Sequence, residues 1–342
     1  MPPTIATLIP TYRRPQDLHR CLVAVGRQRR VADEVLVVVR ESDRETWEFL
    51  KSFEAQTSEN QGLPLRVLTV VQPGVVAALN VGLAALTADI VAITDDDAAP
   101  HPDWLERIEA RFLADEELGG LGGRDWRYDG DRLLQEGEAA IVGRIQWFGR
   151  LVGNHHIGVG DLRPVDLLKG VNMSFRRRAI AGLQFDTRLL GQGAQVHNEL
   201  AFGLAVKRSG WRLMYDPAIA VDHYEGARVD EDRVGYFNSS SEAVLHSSYN
   251  EALILLEHFS LLQHWIYLVW STLIGTRQTP GLLQAIRFTR TYGRMAWQRF
   301  LTTQKGKFMA LGQIWRQGSD RPTHPSQPPL STPSPLSQPK IR

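Results

Sequence analysis

The chain has 342 residues, 43 % of them hydrophobic and 23 % charged, with a formal net charge of +1. That length suits about two domains, the composition is that of an ordinary globular protein, and the near-neutral charge excludes a partner held by bulk attraction alone. The lone Cys21 excludes an intrachain disulfide and a multi-cysteine metal site; it reads as a small core residue and fits a reducing compartment. Residues 1–7 have neither the basic region nor the long apolar core of a signal peptide.

Residues 5–9 form a short apolar run stopped by Pro10, and residues 16–26 follow as a helix with Leu18, Leu22 and Val25 on one face. Residues 34–39 are β-branched and continuous, the mark of a strand buried on both faces. A second helix over 45–53, a strand over 65–71, a third helix over 75–87 and a strand over 90–94 complete an alternating pattern. Such alternation predicts βαβ units and a mostly parallel sheet with both faces covered. Gly119-Gly-Leu-Gly-Gly123 reads as a bend, and it lacks the spacing of a dinucleotide fingerprint. Residues 126–159 are rich in Trp, Arg, Gly and His and suggest an acceptor-side region. A strand over 169–175, a helix over 195–209, a strand over 211–215 and a last short strand ending at His223 follow.

Three consecutive carboxylates, Asp95-Asp96-Asp97, close the fourth strand. Neighbouring like charges repel by about 1 kcal/mol per pair at 4 Å even in water. A divalent cation relieves that repulsion, and Mg²⁺ typically takes one or two protein carboxylates plus substrate phosphates. The bland alternative is a solvated acidic turn. In open α/β sheets, however, ligands bind beyond the carboxyl ends of the strands. Pro10-Thr11-Tyr12, Glu41-Ser42-Asp43 and Gln72-Pro73-Gly74 share that rim with the acids.

Six stretches in order resemble the inverting family 2 glycosyltransferases with a GT-A fold. They are Ile9-Pro-Thr-Tyr-Arg-Arg-Pro15, Asn80-Val-Gly82, Thr94-Asp-Asp-Asp-Ala98 with Pro102-Asp-Trp-Leu105, Gly170-Val-Asn-Met-Ser-Phe-Arg-Arg177, Asn198-Glu199 with Gly210-Trp211 and Tyr215-Asp-Pro217, and finally His223. The resemblance spans residues 3–225. It implies a GT-A domain, residues 1–230, with a mostly parallel central sheet. It implies Mg²⁺ or Mn²⁺ as cofactor and a nucleotide-sugar donor. Asp95 and Asp97 resemble the two acids of the D-x-D element: Asp97 for the metal, Asp95 for the donor's ribose or diphosphate. Asp96, the middle residue, is placed with the donor-binding positions, although its side chain is free to point elsewhere. Pro10, Thr11, Tyr12, Glu41, Asp43 and Asn80 resemble nucleotide-facing positions, with Tyr12 a stacking surface or a half-buried tyrosine. Arg40 departs from the acid usual in the family, which leaves the base contact open between Glu41 and Asp43. His223 is a third metal ligand, a diphosphate contact or a structural histidine, and Asp222 is a weaker candidate.

The reaction so implied attacks an anomeric carbon with an acceptor hydroxyl and expels a nucleoside diphosphate. A positioned carboxylate takes the hydroxyl proton. Relatives carry Glu-Asp where this chain has Asn198-Glu199, so Glu199 stands in the base position with one extra methylene. An acid there also suits the start of a helix. Arg124-Asp125 would meet donor sugar or acceptor. The neighbours His155 and His156 diverge in helix or strand and are assigned no ligand role.

Residues 231–318 form the expected C-terminal helical extension. Residues 253–274 are strongly apolar, but Glu257, Ser260, His264, Tyr267 and Ser271 recur on one helical face. A helix lying in a membrane interface or packed on a partner helix fits this pattern, and a spanning or re-entrant geometry stays open at this length. From residue 277 to 318 there are eight Lys or Arg and no Asp or Glu, with Arg287, Arg290, Arg294 and Gln298 spaced for one helical face. Each basic residue near an anionic leaflet contributes about 1 kcal/mol. These patterns predict a cytoplasmic enzyme peripheral on the inner face of the cell membrane, without nucleic acid, acting on a lipid-linked or cell-envelope glycan. Residues 319–342 are Pro/Ser-rich and read as a disordered tail. A nucleotidyltransferase making nucleotide sugars and a catalytically silent scaffold that only binds the donor are the alternatives.

Overall fold

The run read as a strand buried on both faces is β2 (Glu34–Arg40), and Val35 to Val39 are fully buried within it. Burying each such side chain stabilises the fold by roughly 1.5–3 kcal/mol. The structure is a computed structural model that describes residues 2–55, 62–134, 137–224 and 239–319. β2 lies between β1 (Ile5–Thr11) and β3 (Leu65–Val70), and β1 pairs on its other edge with β4 (Ile90–Ile93), all parallel. Helices α1 (Pro15–Gly26), α2 (Arg44–Ala55) and α3 (Val75–Ala85) make the crossovers. β1 continues through Pro10, contrary to expectation, because its parallel partner on that side is in register to Val38 and Val39.

Beyond β4 the sheet becomes mixed. β5 (Ala98–Pro100) and α4 (Trp104–Ala114) lead into the long β6 (Leu118–Asp129), which forms a hairpin with β7 (Arg132–Leu133). The ribbon β8 (Arg144–Ile145) and β9 (Leu151–Val152), then β10 (Arg163–Pro164) and β11 (Met173–Arg176), precede α5 (Asn198–Arg208) and β12 (Arg212–His223). The sheet runs β10-β12-β6-β11-β4-β1-β2-β3, with β11 antiparallel to β4 and β6, and β12 parallel to β6. Two sequence expectations change here. The two strands expected over 211–223 are one strand with a register shift between Asp216 and Ala220. The glycine stretch is not a bend but the start of β6, where a Cβ on Gly123 would collide with the Ile219 carbonyl.

Asn172, just before β11, ties these strands together. Its side chain accepts from Trp104 Nε1 at 2.9 Å and donates to Ile219 O at 3.0 Å and Arg124 O at 3.2 Å, all in the interior. One core lies on the α3 and α5 side of the sheet, around Leu79, Phe175 and Phe202; another lies on the α1 and α4 side, around Leu18, Cys21 and Trp104.

A third core joins α5 to the C-terminal helices α6 (Ser241–His258), α7 (Leu261–Leu273), α8 (Leu282–Tyr292) and α9 (Arg294–Ser319). Leu200 and Leu204 of α5 pack there with Leu253, Ile254 and Leu255 of α6. The apolar stretch 253–274 is therefore two helices, broken where Ser260 and Gln263 form a capping box. The second of these, α7, has two distinct faces. Its polar Tyr267 and Ser271 point inward, Tyr267 donating to Glu251 at 3.2 Å and the Ser271 carbonyl accepting from Lys307 at 2.7 Å. Its apolar Leu262, Trp265, Val269 and Leu273 are exposed. The basic stripe is split as well: Arg287 and Arg290 lie on α8, Arg294 and Gln298 on α9, separated by Gly293 at φ 53°. Among the described residues no helix is long and apolar enough to cross a membrane. The expected boundary at 230 and the tail beyond 319 lie outside the described residues.

His155 sits in the interior, with Nε2 3.2 Å from Leu167 O. Burial pulls its pKa down from 6.5 to about 4. Because the unfolded chain takes this proton first, the stabilising contribution is complete above pH 6.5 and is lost as pH falls toward 4. Urea unfolding at pH 7 and pH 5 should show a loss to which His155 contributes roughly 2 kcal/mol and His197, which burial also pulls down to about 4, a similar part, so His155→Gln should remove about 2 kcal/mol of it; an unchanged pH dependence in the variant would count against this assignment.

Candidate active site

A cavity of about 730 Å³ opens at the carboxyl ends of β1 and β4. Its lining includes Pro10, Thr11, Tyr12, Asp95, Asp97 and His223, together with Lys169, Asn198 and Glu199. The three acids diverge. Asp95 and Asp97 face the cavity, whereas Asp96 is fully buried behind them. Thr11 Oγ1 donates to Asp96 Oδ2 at 2.7 Å, and Arg14 spans two acids, Nη2 to Asp96 Oδ1 at 2.5 Å and Nη1 to Asp97 Oδ2 at 2.7 Å. Burial pushes the Asp96 carboxyl up; Arg14 and Thr11 pull it back, while Asp97 and Asp95 add to the rise. Burial also works against the charge on Arg14, but the three carboxylates outweigh it and hold the guanidinium well above its ordinary range. The two upward shifts on this ion pair differ in cause: burial dominates for Asp96, and for Arg14 the several carboxylates that share it outweigh burial.

The convergence of Asp97 and His223 is set by backbone. His223 pairs with Ala98 across β5 and β12, and the Tyr224 N–H donates to Asp97 O at 2.9 Å. These bonds bring His223 Nε2 to 3.5 Å from Asp97 Oδ1. An imidazole and a carboxylate meeting at a cavity fit a divalent cation. No group of three or more His, Cys, Asp or Glu side chains suited to a metal exists among the described residues. Two protein donors nevertheless fit a cation that takes its remaining ligands from a diphosphate.

The other nucleotide-facing candidates divide. Tyr12 lines the cavity with Arg13 and Arg40 at 5.2 and 5.1 Å from its ring centre, so Arg40 stands at the place expected for an acid. Glu41 is exposed and Asp43 is buried; neither lines the cavity. Asp43 instead caps α2, accepting from Thr46 N and Oγ1, and holds Arg13 N at 2.6 Å, which fixes the left-handed turn at Arg13. Asn80 is spent on the Phe185 backbone, donating at 2.9 Å and accepting at 2.8 Å, and it too lies off the cavity. Asp222 faces away, paired with His101 at 2.9 Å.

Glu199 is the second residue of α5, which starts later than the sequence suggests because Gln195 and His197 have positive φ. The loop before it is held from the C-terminal unit. Asn250 of α6, fully buried, accepts from Leu190 N and donates to Leu190 O and Val196 O. Arg188 reinforces this by pairing with both Asp186 and Glu257. The first turns of α6 also reach the cavity with Glu242 and His246. No sequence signal points to these two residues, since they follow the last motif by about twenty positions. Arg14 stood within the first motif and Asp125 beside the glycines, but only the fold puts them at the acids.

Replacing Arg14 by Met leaves Asp96 buried without its cation and should cost about 3–5 kcal/mol in denaturant unfolding at pH 7. Adding Asp96→Asn should restore most of that loss; additive losses would refute the pairing.

The family model described as Glycosyl transferase family 2 matches residues 7–180, just over half of the chain. Glycosyltransferase AglE of Haloferax volcanii is 33 % identical over 107 residues, covering 31 % of this chain and 34 % of that protein. The glucosyl-dolichyl phosphate glucuronosyltransferase of the same organism is 27 % identical over 145 residues, covering 40 % and 43 %. The matches thus span less than half the length of either relative. Among solved structures, the mannosyltransferase PcManGT from Pyrobaculum calidifontis, in complex with GDP-Man and Mn²⁺, superposes with a TM-score of 0.53 at 18 % identity over 93 % of this chain and 88 % of that one. GalNAc-T7 with UDP, GalNAc and Mn²⁺ gives 0.57 at 12 % identity over 93 % and 57 %. These likenesses bear out the GT-A fold. With the model covering more than half its length, the chain belongs to glycosyl transferase family 2.

Proposed function

We propose that the protein transfers a sugar, with inversion, from a nucleoside-diphosphate sugar to a hydroxyl of a lipid-linked or cell-envelope glycan. One observation carries this reading: one cavity is lined both by the acidic strand end and by Glu199. Tyr12, flanked by Arg13 and Arg40, offers a ring for the base. Asp95 holds the ribose or diphosphate, and Asp97 with His223 would hold the cation. A bound Mg²⁺ or Mn²⁺ supplies charge stabilisation to the departing diphosphate. The Mn²⁺ in both structural neighbours supports a divalent cation. Glu199 orients the acceptor hydroxyl and takes its proton as the new bond forms. A lipid-linked acceptor is supported by the likeness to the glucosyl-dolichyl phosphate glucuronosyltransferase.

The C-terminal helices support a membrane-peripheral enzyme on the cytoplasmic face. Leu261 is 79 % and Trp265 69 % exposed, and Trp297, Leu301, Phe308 and Trp315 form a second exposed apolar stripe along α9. Exposed Arg277, Arg287, Arg290, Arg294 and Lys305 accompany them, and residues 259–319 contain no acid. Apolar side chains beside exposed cations suit an anionic bilayer surface.

Two measurements follow. Glu199→Gln should lower turnover about 10²–10⁴-fold with donor binding by calorimetry unchanged. Equal turnover would remove Glu199 as base, and pyrophosphate release would favour nucleotidyl transfer. Purified full-length protein should co-sediment with phosphatidylglycerol vesicles far better than with phosphatidylcholine vesicles. Leu262→Glu with Trp265→Glu should weaken that binding roughly tenfold or more; unaltered sedimentation would exclude this face.

A further inference from the structure

Behind His223 lies a carboxylate that the proposed transfer does not use. Asp125 is fully buried on β6, two residues past the Gly123 contact. β6 and β12 are parallel with Asp125 opposite Val221, so His223, two residues on, projects from the same face of the sheet. Asp125 Oδ2 lies 3.5 Å from His223 Nδ1 and is ion-paired with Lys169 Nζ. On the far side of the same ring, Nε2 faces Asp97 Oδ1. The order across the site is therefore Lys169, Asp125, His223, Asp97, Arg14, Asp96.

A buried ion pair is a weak source of stability, because desolvation offsets the attraction. Lys169 and Asp125 make poor sense as packing, yet they place a carboxylate oxygen 3.5 Å from one nitrogen of an imidazole whose other nitrogen faces Asp97. Metal-binding histidines are oriented in this way by a carboxylate on the ring nitrogen that does not bind metal. We propose that Asp125, locked by Lys169, is the positioning residue that presents His223 Nε2 beside Asp97 as the second protein donor to a divalent cation. This rests on the transfer reading above.

The test uses the full-length protein, Mn²⁺ and UDP or GDP. The free-Mn²⁺ electron paramagnetic resonance signal reports affinity, and spin-echo modulation reports nitrogen bound to the metal. Wild type should bind Mn²⁺ with nucleotide and show ¹⁴N coupling that His223→Gln abolishes. Asp125→Asn should lose or weaken that coupling and lower Mn²⁺ affinity about 10–100-fold. A merely structural Asp125 would leave the coupling in whatever protein remains folded. Wild type binding Mn²⁺ without ¹⁴N coupling, or Asp125→Asn matching wild type, overturns the proposal and leaves the transfer reading standing. The wild-type spectrum decides even if Asp125→Asn does not fold. Failure of wild type to bind Mn²⁺ with either nucleotide overturns both.

Discussion

Four carboxylates crowd one end of this sheet, and the fold is arranged around their repulsion. Asp95, Asp96 and Asp97 follow one another where β4 ends, and Asp125 approaches from β6. Arg14, His223 and Lys169 are interleaved with them, so each buried acid meets a cation or an imidazole. The interleaving depends on distant backbone pairings: β1 delivers Arg14, β12 delivers His223, and the segment before β11 delivers Lys169. Each pairing would be a neutral feature of an α/β sheet without the acids. With them, every strand junction around the site carries electrostatic consequence, since misplacing one cation leaves a desolvated charge.

The Glu199 side of the cavity follows another logic. It is made of loop and helix termini, and its shape comes from hydrogen bonds made by α6. Asn250 fills the backbone groups of Leu190 and Val196, and the α5 residues behind Glu199 share a core with α6. The C-terminal helices are thus both a structural brace for the acceptor side and the carriers of the exposed apolar and basic surface. A surface contact made by α7 and α9 is one helix away from the residue that would accept the proton.

Much of the catalytic half is legible in the sequence because its signals are local. Buried parallel strands read as continuous β-branched runs, and the acids announce themselves at the end of one. Glu199 and His223 were reachable through motif order. What escaped depended on partners far along the chain. Asp43 and Asn80 sit in the right neighbourhood, but a helix N-terminus and the Phe185 backbone claim their side chains. Glycines 119–123 look like a turn because nothing nearby reveals that β12 and β11 press against them. α7 reads as two-faced, but which face is covered depends on Glu251 and Lys307, which draw its polar side inward from other helices. Periodicity reports that a helix has two faces; it does not report which face is covered.

The grip of Asn250 also orders events during synthesis. Everything that forms the acidic cluster is complete once β12 has been made, and those pairings can close as that part of the chain emerges, since domains generally fold from the N-terminus during translation. The loop that carries Glu199 must then wait for a residue some fifty positions later before its carbonyls are filled. A chain ending after β12 would hold Asp95, Asp97 and His223 yet lack the side chain that fills the Leu190 and Val196 carbonyls before Glu199.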